Sequence, residues 1–182
     1  MADYKPDRAL VTGFAASLQF LKPDDELMQL WLNTMASGDY AFGYGLLRSD
    51  ADAYDPFGVL VALNGGDWVW DDQDEAWGFA NSATTLNPLT MMKWLGMERN
   101  HGLDWANNFL DSVTLLTDRS TDFTPIVAVL REALIKVEDD RGRINDASQA
   151  AYSRGVQSID SPFSHRETRR NYDAAPFYGR RV

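Results

Sequence analysis

The sequence predicts an α+β fold: a mainly helical single domain over a small antiparallel sheet or hairpin, with an extended C-terminal arm. Three observations predict it. Apolar residues recur at helical spacing in several capped segments between Arg8 and Val137. The stretch YDPFGVLVALNGGDWVWDDQDEAWGF, residues 54–79, sets aromatic and apolar residues on both sides of an acidic run, as a hairpin does. From Asp139 the apolar density drops, and after Ser161-Pro162 no periodicity remains. The domain division follows: an α+β domain over 1–139, then a C-terminal helix and a basic, aromatic arm over 140–182.

The elements can be justified in order. Asp7 caps a helix from Arg8 to Phe20, with Leu10, Val11, Phe14 and Leu18 on one stripe. Lys22-Pro23-Asp24 stops it and starts a second helix, with Leu27, Leu30, Trp31 and Met35 as the stripe and Ser37-Gly38 as the end. AFGYGLLR reads as a short strand or turn, and Ser49 to Asp55 as a polar loop. Pro56 suits the first position of a short helix that Asn64-Gly65-Gly66 ends. Trp68-Val69-Trp70 and Ala76 to Phe79 flank DDQDE as a hairpin; a four-residue loop would set Trp68 across from Trp77, a five-residue loop Val69, and the sequence does not choose. Asn87-Pro88 opens a helix through Met91, Met92 and Trp94 to Gly96. Leu103 to Leu116 is helical, and Thr124-Pro125 opens the clearest helix, through Ile126, Val129, Leu130, Ala133, Leu134 and Val137. Asn145 to Ile159 carries a thinner helical stripe.

Charge separates the two regions. Residues 1–140 carry nine basic and 23 acidic side chains, a balance of −14, and residues 141–182 carry eight arginines and four acids, +4, within a net −10. The body should be repelled by nucleic-acid phosphates, and the tail drawn to an acidic surface such as another copy of the body. With Cys 0 there is no disulfide, thiolate nucleophile or zinc–sulfur site. No apolar run approaches the ~20 residues that span a bilayer, and MADYKPDRAL lacks a secretory signal pattern. The chain is therefore expected in a reducing cytoplasm, or in a particle assembled inside one, and not secreted.

Chemistry finds little footing. The histidines are His101 and His165, and no G-x-S-x-G elbow, P-loop or G-x-G-x-x-G is present. Asp50-Ala51-Asp52-Ala53-Tyr54-Asp55 begins like a calcium loop, but Tyr54 holds the fifth position, the sixth is not Gly, and no glutamate holds the twelfth. It reads as a solvated turn. The acids Asp71, Asp72, Asp74 and Glu75 read as a run that keeps an aromatic hairpin soluble. No catalytic residue, metal or cofactor is expected. Trp31, Trp94 and Trp105 lie on helical stripes and are expected in the core. Trp68, Trp70 and Trp77 cannot all face inward on one ribbon, so at least one should be exposed as an interface anchor.

Residues 31–135 carry further landmarks: WLNTMASGDYAFGYGLLR, FGVLVAL, TTLNPLTMMKWLGM and LTDRSTDFTPIVAVLREAL. In these the chain resembles a family of small, mostly uncharacterised phage and bacterial proteins. That family shows a W-x-x-x-L-x-S-G-x-Y opening, a Leu-Gly-Val-Leu helix, a threonine-leucine entry to a W-x-G-L helix, and a Phe-x-x-Ile-Ala helix. Cysteines commonly flank its Leu-Gly-Val-Leu helix; those places read Asp55, Pro56 and Ala62 here. The resemblance implies a viral or mobile-element origin and an α+β fold.

The expected function is that of a non-catalytic phage protein acting through protein–protein contacts, as a virion-associated or assembly component. The alternatives are an accessory factor that binds and inhibits a host protein, its acidic body mimicking DNA, and a small-ligand or hydrolytic enzyme using clustered carboxylates. The expected partners are copies of the chain or other virion proteins. The expected partner-binding residues are Trp68, Trp70 and Trp77, with Phe163, Arg169, Arg170, Tyr172, Phe177, Tyr178, Arg180 and Arg181 of the arm.

Overall fold

Side-chain caps start four of the helices, where exposed backbone N–H groups need acceptors. Asp7 caps α1 (Arg8–Leu21), Asp24 caps α2 (Asp25–Ala36), Asp55 caps α3 (Pro56–Leu63) and Asn87 caps α4 (Pro88–Trp94). Two longer helices follow, α5 (Leu103–Thr117) and α6 (Thr124–Ile159), the latter with Asp122 accepting from the Thr124 N–H. The computed structural model describes residues 4–97 and 103–159.

Five short strands among these residues form one sheet: β1 (Ala41–Phe42), β2 (Arg48–Ser49), β3 (Ala53–Tyr54), β4 (Val69–Asp71) and β5 (Ala76–Gly78). Their order is β1-β3-β2-β5-β4, so β1 and β4 are the open edges. The α+β class holds, with two differences from the sequence expectation. The sheet is mixed, because β1 runs parallel to β3 while the other pairs are antiparallel. The segment expected as a polar loop, Ser49 to Asp55, contains the end of β2 and all of β3.

The hairpin register also differs. Neither Trp68 nor Val69 faces Trp77; Trp70 does, with Asp71 opposite Ala76. Asp71 joins the strand because its Oδ1 accepts from the backbone N–H groups of Gln73 and Asp74, closing the turn early, and Glu75 takes a left-handed φ of 48°.

The core lies among the helices. α1 packs on α5 through an edge-on Phe14–Phe109 contact, and Phe20 stacks on Trp105 at 4.4 Å. Trp31 is fully buried between α2 and α3, where it stacks near Phe57 and donates from Nε1 to the Pro56 carbonyl at 2.8 Å. Trp94 and Trp105 are half-buried and pack against this core. Ile126, Val129, Leu130, Ala133, Leu134 and Val137 form the buried stripe of α6.

Contacts divide the chain at Arg143, giving units Met1–Arg143 and Ile144–Val182. The first holds the sheet and the core just described. The second begins inside α6, where residues 144–150 are all exposed. The sequence suggested a separate helix from Asn145; α6 instead runs unbroken to Ile159.

Candidate protein-interaction surface

Directly opposed residues on neighbouring strands share a face of a sheet. Arg48 pairs with Trp77 on one side and Tyr54 on the other, and Trp77 pairs with Trp70. One face therefore gathers Tyr54, Arg48, Trp77 and Trp70. Trp68 joins them, its ring lying edge-on to Tyr54 at 6.1 Å, and Tyr40 closes the row against Tyr54 at 5.0 Å. The opposite side of β5 offers only Ala76 and Gly78, both buried. Tyr40, Tyr54 and Trp68 are half-buried and pack against the hydrophobic core, while Trp70 is exposed, so the aromatic row runs from the core out to the surface. The inward side of β5 is small because the loop after β5 approaches it closely: a methyl on Gly78 would meet the Ser82 carbonyl oxygen at 2.9 Å.

Arg48 organises the aromatic face. Its guanidinium carbon lies 5.0 Å from the Trp77 ring centroid, 5.5 Å from Trp68 and 5.6 Å from Tyr54. Nε and Nη2 both donate to Asp52 Oδ1, at 2.8 and 2.7 Å. Asp52 reaches this position from a left-handed φ of 58° in the turn between β2 and β3. Burial raises the pKa of the Tyr54 phenol, an effect the Arg48 charge partly offsets. A planar cation held by three rings and a carboxylate fixes the relative placement of three strands.

Trp70 stands at the outer end of the row, on the edge strand β4, and is 40% exposed. Its ring meets Trp77 edge-on at 5.4 Å, and its Nε1 donates to Asp72 Oδ1 at 2.9 Å. Val69 beside it is also exposed, as are Asp67, Asp72, Asp74 and Glu75. The result is an indole platform of fixed orientation inside an acidic rim. Such a platform suits a partner carrying cationic and apolar side chains together.

Of the residues expected in partner binding, the structure brings Trp68, Trp70 and Trp77 together on this face. Phe163, Arg169, Arg170, Tyr172, Phe177, Tyr178, Arg180 and Arg181 lie outside the described residues, as does His101. Sequence reasoning missed Arg48, Asp52, Tyr54 and Tyr40. A signal was present: Arg48 is the one basic residue between Lys22 and Lys93, among twelve acids.

The stretch Asp50 to Asp55 is not a uniformly solvated turn. Asp52 is spent on Arg48, and Asp55 is 6% exposed, capping α3 by accepting from the Gly58 N–H. Burial pushes the Asp55 carboxyl up to about 7, against the pull of its backbone hydrogen bonds. Among the described residues no three His, Cys, Asp or Glu side chains converge as metal ligands, and no helix is long and apolar enough to cross a membrane. No protein-family model, curated protein or solved structure matches the chain.

Proposed function

We propose that this chain is a non-catalytic phage protein that acts through protein–protein contact, as a virion-associated or assembly component, with the Trp70 platform as its anchor. The observation that carries the contact reading is an exposed tryptophan, Trp70, at an open sheet edge, braced edge-on by the Trp77 ring that Arg48 covers and ringed by acids. Large aromatic side chains on rigid supports lose little conformational entropy on binding, which is why they dominate interface energetics. The phage assignment rests on the sequence resemblance over residues 31–135.

The partner is a second copy of the chain. Residues 160–182 carry five arginines with Phe163, Tyr172, Phe177 and Tyr178, against a body of balance −14. Arginine pairs bidentately with carboxylates and stacks on indoles, so the arm of one copy complements the acidic aromatic face of another. Sedimentation velocity of the full chain and of a chain ending at Ile159 tests this. The full chain should associate with rising concentration, and less so at high salt; the shortened chain should stay monomeric with an unchanged melting temperature. A full chain that remains monomeric throughout would overturn the second copy as partner and favour an accessory factor that binds a host protein.

A further inference from the structure

A cleft of about 440 Å³ opens within the first unit, between the end of α2, strand β1 and the first turns of α6. That volume falls within the roughly 300 to 1,000 Å³ of small-molecule sites. Its walls are Met35, Tyr40, Phe42, Phe123 and Val127, with Phe42 and Phe123 meeting edge-on at 5.1 Å. Trp68, Trp70 and Trp77 take no part in it.

Two charged side chains line the cleft, and they differ in what they already do. Asp122 has spent Oδ1 as the acceptor for the Thr124 N–H, 2.7 Å away. Arg131 donates from Nη2 to the neutral amide oxygen of Asn33 at 2.8 Å, and among the described residues it has no carboxylate partner. Among the described residues Arg48 is paired with Asp52, and Lys136 and Arg143 with Asp140, whereas Arg131, like Arg8 and Arg119, has no acid partner; of these three only Arg131 lines the cleft. A guanidinium has five donors in a planar fork, so one amide leaves most of the capacity of this cleft-lining side chain for a ligand. In a body of balance −14, an arginine oriented by an amide and left without an acid is a placed charge.

We propose that this cleft binds a small apolar molecule carrying one carboxylate, with the apolar part against Phe42, Phe123 and Val127 and the carboxylate on Arg131. Asp122 precedes α6 and Arg131 lies about two turns into it, so Asp122 repels a second anionic group at the other end of the cleft. One guanidinium over apolar walls suits a monocarboxylate better than a phosphate dianion, which needs several N–H donors. The site is separate from the contact surface proposed above and does not depend on it.

Isothermal titration with 4-phenylbutyrate and its neutral amide, 4-phenylbutyramide, tests the proposal on the full chain and two variants. The acid should bind at least tenfold tighter than the amide. Arg131→Gln, on an exposed side chain, should erase that difference while leaving the melting temperature unchanged. Ala128→Phe should fill the cleft and remove binding of both probes; should that variant melt early, Ala36→Phe from the exposed opposite wall replaces it. Equal binding of acid and amide, no binding of either up to millimolar concentration, or full binding to a correctly folded cleft-filled variant would each overturn it.

Discussion

Arg48 and Trp77 stand opposite each other on adjacent strands, with the guanidinium carbon 5.0 Å from the indole centroid. The contact joins the middle strand β2 to the hairpin that carries Trp70, so the exposed end of the aromatic row inherits its position from a cation in the centre. Each ring contributes on the order of 0.5 to 2 kcal/mol to holding such a cation, more where water is excluded.

Replacing Arg48 with Lys keeps the charge but loses the plane that stacks and the fork that grips Asp52. Arg48→Lys should lower stability in urea denaturation by about 1 to 2 kcal/mol, as expected for losing such contacts. An unchanged midpoint would mean that the rings hold the face together without the guanidinium.

Gly58 and Gly13 give opposite predictions for the same change. A methyl on Gly58 would overlap the carbonyl oxygen of Leu47, just before β2, where backbone meets backbone. Gly58→Ala should destabilise by more than ~3 kcal/mol. A methyl on Gly13, inside α1, meets nothing within 4 Å, so Gly13→Ala should stabilise by about 0.5 to 1 kcal/mol. Thermal melts of the two variants check both signs.

Asp55 predicts a slope with pH. Its carboxyl is pushed up to about 7 by burial, so the folded chain keeps a proton that the unfolded chain loses near 3.8. Between those values the folded state binds more protons, and stability falls as pH rises, with the full contribution present only below the lower value. Asparagine also caps helices, so Asp55→Asn removes the titration and keeps the cap. Relative to Asp55→Asn, the wild type should lose stability on the order of a few kcal/mol from pH 4 to pH 8, measured by urea unfolding at each pH. A constant difference between the two would show that Asp55 does not titrate in that window.

The parts legible in the sequence were local. Asp7, Asp24 and Asn87 mark helix starts because a cap acts within three residues, and Pro56 marks α3 for the same reason. The aromatic cluster was legible as a need, since three tryptophans on one ribbon could not all be buried. Its centre was not. Arg48, Tyr54 and Trp77 meet through pairings between strands of two or three residues, too short to print an alternating pattern. The hairpin register turned on the side chain of Asp71, which reads as one more acid in an acidic run. The length of α6 was hidden for a different reason. Apolar spacing reports where a helix packs, and over residues 141–150 the helix is exposed on every side, so no apolar stripe marks its continuation.

Calcium should leave the melting temperature unchanged, because Asp52 and Asp55 are engaged with Arg48 and the α3 cap, and a ligand that binds only the folded state must raise it. A calcium-dependent rise abolished by Asp52→Asn would contradict this and restore Asp50 to Asp55 as a cation loop.

The most direct test of the contact surface is Trp70→Ser, followed by sedimentation velocity and thermal melting of the full chain in parallel. Trp70 is exposed at the sheet edge, so its loss should cost the fold under about 1 kcal/mol. As an interface anchor its loss should weaken association at least tenfold, about 1.4 kcal/mol or more. Weakened association with an unchanged melting temperature is the predicted result. Unchanged association in a correctly folded variant would contradict the assignment of this face as the contact surface.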